Sequence, residues 1–227
     1  MTVSRKEVRE MGYSIAVFDL DGTITDSGTG IMNAIRYAIE KKKFAEPPEK
    51  VMRSFIGPPL REQFQSVFGL DESESREMVE LYRVYYEDRG IFENRVFDGV
   101  PEMLETLKNK GVTVLMATSK PEKYAKVIAE HFGLLRYFDF IGGACMDGTR
   151  TAKDEVIGYV IEACGISEEE RKQAVMIGDR RHDILGAKKT GLHSMGVLYG
   201  YGSREELEEA GAEEIVCLPC DICASFV

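Results

Sequence analysis

Two aspartates one residue apart, Asp19 and Asp21, close the apolar run Ile15-Ala16-Val17-Phe18, and Gly22-Thr23 follow them. Burying one carboxylate beside another is unfavourable unless a cation, a proton or hydrogen bonds compensate. The pair therefore points to metal binding, proton transfer or both. Asp-Gly is also an ordinary turn signal after a strand, and the pair by itself leaves the two readings even. A second pair has the same setting. Gly178-Asp179-Arg180-Arg181-His182-Asp183 follows an apolar run ending at Ile177. Asp183 alone could cap the helix carrying Ile184, Leu185 and Ala187. Asp179 is harder to dismiss, because Gly178 lets backbone approach closely. Hard cations such as Mg2+ take a few carboxylates, a carbonyl and waters. Asp19, Asp21 and Asp179 supply that set if their strands are adjacent.

Two further segments offer groups for an anion. Thr118-Ser119-Lys120-Pro121 follows a run ending at Ala117. Pro121 suits a first helical position, which puts Thr118 and Ser119 at a helix entrance, where hydroxyls and free N–H groups bind anions. Alone, the segment reads as a plain cap. Lys153, in Arg150-Thr151-Ala152-Lys153-Asp154, has the cation needed to offset repulsion between a phosphate dianion and a nucleophilic carboxylate.

The elements that must position these groups are legible as short apolar runs: Ile15–Phe18, Val112–Ala117, Phe138–Ile141, Ala174–Ile177, Met195–Leu198 and Ile215–Val216. Such strands alternating with helical patterns imply an α/β fold, a parallel sheet covered on both faces. Pro101 and Gly111 mark the start and stop of one helix. Ser167 with Glu170, and Ser203 with Glu206, have capping-box spacing. From about Ser27 to Asn94 no strand pattern occurs. Ile31, Ala34, Ile35, Ala38 and Ile39 recur at helical spacing, then Phe64, Val67 and Phe68, then Met78, Leu81, Tyr82 and Tyr85. Ile56-Gly57-Pro58-Pro59 must turn. This is a helical insertion, and its start only a few residues after the two aspartates favours a lid over a passive subdomain.

At 227 residues, 44% hydrophobic and 30% charged, the chain fits one large domain or a domain with an insertion. Its net charge of -10 disfavours nucleic-acid polymers and anionic membranes as partners. No apolar run reaches membrane-spanning length, and Met1–Glu7 lacks the apolar core of a signal peptide, so a cytoplasmic location is expected. Of five cysteines, Cys217, Cys220 and Cys223 have metal-like spacing. Without a fourth ligand they are expected to be reduced, partly buried thiols.

Taken together and in this order, Asp19-x-Asp21-Gly22-Thr23, Thr118 after the second core strand, Lys153 and Gly178-Asp179-x-x-x-Asp183 resemble the haloacid dehalogenase superfamily from residue 14 to about 216. The helical insertion resembles the C1 cap of its phosphoglycolate phosphatase-like branch. That branch often has Asn where Ser119 stands. The resemblance implies a Rossmann-like core of residues 1–26 and 95–227 with an all-α cap of residues 27–94. It implies Asp19 as nucleophile, forming an aspartyl-phosphate, and Asp21 as acid and then base. Mg2+ would be held by Asp19, the Asp21 carbonyl, Asp179 and Asp183, and phosphate oxygens by Gly22, Thr118, Ser119 and Lys153.

The implied function is a Mg2+-dependent phosphomonoesterase acting on a small phosphorylated metabolite. The alternatives are a mutase of the β-phosphoglucomutase type and a non-catalytic phosphate- or metal-binding regulator. An acid at Asp21 disfavours dehalogenases and phosphonoacetaldehyde hydrolases. The absence of histidine between residues 27 and 94 disfavours the mutase. Phosphoglycolate, a nucleoside 5′-monophosphate, a sugar phosphate and pyrophosphate stay open. Cap residues Arg53, Gly57, Pro58 and Arg61 are candidates for specificity, an arginine pairing with a substrate carboxylate or second phosphate. His182 reads as a partly exposed loop residue and Gly200-Tyr201-Gly202 as a flexible turn. Tyr82, Tyr85, Tyr86 and Phe92 read as cap core. A monomer or weak homodimer is expected.

Overall fold

The computed structural model describes residues 12–227, so the reading of Met1–Glu7 lies outside the described residues. Its strands are β1 (Ile15–Phe18), β2 (Thr25–Asp26), β3 (Arg95–Val96), β4 (Thr113–Pro121), β5 (Phe140–Ala144), β6 (Ala174–Gly178), β7 (His193–Val197) and β8 (Glu214–Val216). The six apolar runs all become strands of one sheet, in the order β5-β4-β1-β6-β7-β8. Every pairing in it is parallel. The chain divides into two compact units, one made of the residues up to Ile24 with Val96–Val227, the other of Thr25–Arg95.

Within the first unit, successive residues of the central strands face opposite sides of the sheet, as a period of two demands. Ile15 and Val17, Leu115 and Ala117, and Ala174 and Met176 join Val156, Ile157, Val160 and Ala187 in one apolar cluster, which fixes the helices Lys153–Ala163 and Arg181–Thr190 on that face. The intervening Ala16, Phe18, Val114, Met116, Val175 and Ile177 are equally buried, so both faces are covered. Several strand ends differ from the apolar runs. β5 begins at Phe140 rather than Phe138, because Leu135–Tyr137 forms a 3-10 turn and the Asp139 carboxylate binds the Val114 N–H. It then continues through Gly142 and Gly143, which apolarity does not flag. β7 starts two residues before Met195, at His193, whose ring nitrogen lies 2.6 Å from the Glu213 carboxylate.

The second unit is helical between β2 and β3. Its helices are Gly28–Lys42, Glu49–Arg53, Leu60–Phe68 and Glu72–Tyr85, the last running into a π-helical turn, Tyr86–Gly90. The residues at helical spacing from Ile31 to Ile39 are buried, as are Phe64, Met78, Tyr82 and Tyr86. Phe92 departs from the expected aromatic core and is 47% exposed. Tyr85 is half-buried and donates its hydroxyl to Glu93.

Candidate active site

β1 is flanked by β4 on one side and β6 on the other, so the chain builds outward in opposite directions from it. In open α/β sheets the crevice at such a switch point, beyond the carboxyl ends of the strands, is where ligands bind. Asp19 leaves β1 there, its N–H still bonded to the Ile177 carbonyl of β6 at 2.9 Å. Asp179 directly follows β6. The adjacency that the metal reading required is therefore present, and one ligand atom each from Asp19, Asp179 and Asp183 lies within 4.8 Å of the others.

Lys153 organises this cluster. Its ammonium lies 2.7 Å from Asp19 Oδ1 and 2.8 Å from Asp183 Oδ1, and donates to the Ala117 carbonyl at 3.1 Å. Burial favours loss of its proton, but Asp183 and then Asp19 outweigh that and raise its pKa. Lys153 reaches the site from the first residue of its helix, where Glu155 accepts the N–H groups of Thr151 and Ala152 and anchors the helix start. Asp183 uses its other oxygen to accept the Arg180 N–H at 3.0 Å, so it both caps its helix and joins the cluster. Burial and the Asp19 charge push Asp183 upward against the pull of Lys153. Asp179 accepts the Tyr201 N–H at 2.7 Å on Oδ2, while its buried Oδ1 has no hydrogen-bond partner. Burial first, then Asp183 and Asp19, hold its pKa well above the usual carboxylate range.

The Thr118–Pro121 segment corrects the expected helix entrance. Strand β4 runs on to Pro121, which sits before the helix Glu122–His131 rather than inside it. Pairing with β5 shifts register between Thr118 and Pro121. Because the segment is extended, Thr118 and Lys120 fall on one face and are buried, while Ser119 between them is half-exposed. Thr118 Oγ1 accepts the Lys120 N–H at 3.2 Å. The ammonium of Lys120, which carried no role in the sequence reading, lies 2.9 Å from Asp21 Oδ2, with both side chains at most 10% exposed. The signal for Lys120 was its i+2 spacing from Thr118, hidden by taking Pro121 as a helix start.

Gly200-Tyr201-Gly202 is no flexible turn. A Cβ at Gly200 would meet the Gly22 carbonyl and the Asp179 side chain, and one at Gly202 would meet the Asp179 carbonyl. Gly22 has φ +85°, and a Cβ there would strike the Asp179 carboxylate. These glycines let two loops close on Asp179 while Tyr201 presents its N–H. Tyr199 braces the same loop by donating to the Thr23 carbonyl at 3.0 Å. Glu206 departs from its expected box: Ser203 takes the Glu206 N–H, but the Glu206 carboxylate binds Arg180 Nε and the Arg181 N–H. His182 is half-buried in the first turn of a helix, not in a loop, and burial with Arg180 and Arg181 lowers its pKa.

In the second unit, Arg53 pairs with Glu49 and Arg61 with Glu72, all four exposed. Gly57 has φ +105° in the turn before Pro58. Of the terminal cysteines, Cys217 and Cys220 are exposed rather than core residues, and Cys223 is half-buried with its thiol 3.8 Å from the Met103 carbonyl.

The donor set fits a hard divalent cation. Four carboxylates, of Asp19, Asp21, Asp179 and Asp183, are buried together, and ammonium groups pair with three of them, Lys153 with Asp19 and Asp183 and Lys120 with Asp21. The unpartnered Asp179 Oδ1 is the atom such an ion would satisfy. Among the described residues no helix is long and apolar enough to cross a membrane.

Comparison with known proteins agrees with this geometry. The sequence model for the haloacid dehalogenase-like hydrolases matches residues 16–197. A 5′-nucleotidase of Pseudomonas aeruginosa is 44% identical over 195 residues, which cover 86% of this chain and 87% of that protein. The tyrosine-protein kinase PtkA of Mycobacterium tuberculosis is 36% identical over 195 residues, 86% of this chain and 65% of that one. The crystal structure of a "predicted phosphatase" from Clostridium acetobutylicum superposes with a TM-score of 0.88 at 41% identity, covering 93% of this chain and 96% of that chain. With its motifs placed at the switch point of a parallel sheet and matched over most of its length, the chain belongs to the haloacid dehalogenase-like hydrolase family, and it is an enzyme of that family.

Proposed function

We propose that the protein is a Mg2+-dependent phosphomonoesterase that works through a phosphorylated Asp19, with nucleoside 5′-monophosphates as the first substrates to try. The observation that carries this reading is the buried cluster in which Lys153 holds Asp19 beside Asp179 and Asp183 while Asp21 stands apart on Lys120. Asp19 attacks phosphorus, and the ester P–O bond breaks with its electron pair on the leaving oxygen. That oxygen takes a proton from Asp21. A water molecule then gives its proton to Asp21 and attacks the phosphorylated Asp19, releasing phosphate and restoring the carboxylate. Lys153 offsets the repulsion between the dianion and Asp19, and the Thr118 hydroxyl takes a phosphate oxygen in this reading. Mg2+, held by the carboxylates of Asp19, Asp179 and Asp183 and by the Asp21 carbonyl, supplies charge neutralisation when bound.

The 44% identity to a 5′-nucleotidase supports nucleotides over the other candidates. We read Thr25–Arg95 as the cap that selects the substrate, since it is inserted four residues after Asp21. The test is phosphate release, with and without Mg2+, from nucleoside 5′-monophosphates, phosphoglycolate, sugar phosphates and pyrophosphate. Metal-dependent release from a nucleotide supports the reading. Isomerised sugar phosphate in place of free phosphate would point to the mutase. Asp19→Asn should lower kcat by about 10³-fold or more, and near-normal activity in that variant would remove Asp19 as nucleophile.

A further inference from the structure

We infer that Lys120 is a positioning residue for proton transfer: it holds Oδ2 of Asp21 and thereby confines the transferable proton to Oδ1. The inference rests on the reading of Asp21 as the group that protonates the leaving oxygen. A lysine ammonium only donates hydrogen bonds and has no acceptor. At 2.9 Å from Oδ2 it serves a carboxylate, and it equally serves the carbonyl oxygen of a carboxylic acid, but it excludes a proton from Oδ2. Only one oxygen of Asp21 can carry the proton to a leaving group, and the Lys120 contact marks Oδ2 as the other.

Three features build this contact. The extended course of β4 past Thr118 brings Lys120 onto the Thr118 face, and its N–H is tied to Thr118 Oγ1. Gly143 on β5 admits the Lys120 carbonyl, which a Cβ there would meet at 2.6 Å. The second lysine of the site is otherwise engaged, since Lys153 has Asp19, Asp183 and the Ala117 carbonyl as partners. The two lysines therefore divide the work. Lys153 serves the nucleophile and the metal carboxylates, and Lys120 serves the acid.

The test compares kcat/KM, which reports steps up to phosphorylation of Asp19, on two esters. Adenosine 5′-monophosphate has an alkoxide leaving group that needs a proton, and p-nitrophenyl phosphate has one that leaves without it. Lys120→Met should lower kcat/KM on the alkyl ester by about tenfold or more beyond its loss on the aryl ester, a part of the usual general-acid contribution. Lys120→Arg, also a donor without an acceptor, should recover much of that ratio. Asp21→Asn should show the same ester dependence, and the double variant should lose little more. Equal losses on both esters, or a raised KM with unchanged kcat, would overturn the inference and make Lys120 a structural or substrate-binding residue. If Lys120→Met fails to fold, Lys120→Gln reads the same ratio. Wild-type protein silent on both esters ends the phosphatase reading itself, whereas an active wild type with an unchanged ratio in the variants ends only the role of Lys120.

Discussion

The two units differ in their buried charges, for the unit that carries the sheet has buried ion pairs besides exposed ones such as Lys189 with Asp154 and Arg204 with Glu208. In the unit that carries the sheet, Lys120 and Lys153 are 5% exposed and sit on carboxylates that are 10% exposed or less. In the helical unit, Arg53, Arg61 and Arg76 are 45–69% exposed and pair with Glu49 and Glu72 along or between helix surfaces. Exposed pairs of that kind contribute about 0–1 kcal/mol. Buried pairs gain little net stability, but losing one partner strands a charge and costs about 3–5 kcal/mol. The helical unit is therefore held by its apolar residues and wears its charges outside. The sheet unit keeps unfavourable charges inside, where stability alone would not place them. That is the pattern of a catalytic centre.

The sharpest break in this contrast is Lys153→Met, which strands Asp19 and Asp183. Urea denaturation should show a loss of about 3–5 kcal/mol, together with loss of phosphate release. A stability change within about 0.5 kcal/mol would mean that the carboxylates tolerate burial unaided.

Gly200→Ala comes next. Its Cβ would meet the Gly22 carbonyl and Asp179, so a loss of about 1–3 kcal/mol is expected from overpacking. Reduced Mg2+ binding by calorimetry should accompany it, because Asp179 must move. Normal metal binding in that variant would separate the glycine loop from the site.

Asp179→Asn should work in the other direction, raising stability while removing activity. Burial and its neighbours lift the Asp179 pKa, so the folded protein binds more protons than the unfolded one above the ordinary Asp value near ~4. Stability of the metal-free protein therefore falls as pH rises through that window, and a neutral amide avoids the loss. In metal-free buffer at pH 7 the variant should melt about 2–4 °C higher, equivalent to about 1 kcal/mol. The difference should vanish near pH 4. A lower melting temperature at pH 7 would show that the cluster is self-sufficient without a cation.

The smallest stability effects belong to Arg53→Ala and Arg61→Ala, each within about 0.5 kcal/mol. Either one raising KM several-fold for the preferred substrate, with kcat unchanged, would give that arginine the specificity role proposed for the cap. Unchanged KM in both would confine them to the surface.

Legibility tracked the range of the interaction concerned. The carboxylates at the ends of β1 and β6 could be seen because an apolar run and the residues after it are contiguous in the chain. The helices of Thr25–Arg95 could be seen because burial imposes a 3.6-residue period, as in Ile31, Ala34, Ile35, Ala38 and Ile39. Pro121 misled, since a residue that suits a first helical turn also suits the last position of a strand that has left its register. Gly200 and Gly202 read as a loose turn because a glycine's reason for being there was a side chain, Asp179, more than twenty residues away.

By itself the sequence determined that a parallel sheet forms, that a helical segment interrupts it after β1, and that two pairs of aspartates stand at strand ends. These follow from local periodicity and from the alternation of short apolar runs with helices. Only the tertiary structure decided which group serves which carboxylate: Lys153 with Asp19 and Asp183, Lys120 with Asp21, and the Tyr201 N–H with Asp179. Charge pairing acts over a few ångströms and is indifferent to separation along the chain, so strand order and register, rather than spacing in the sequence, settle it.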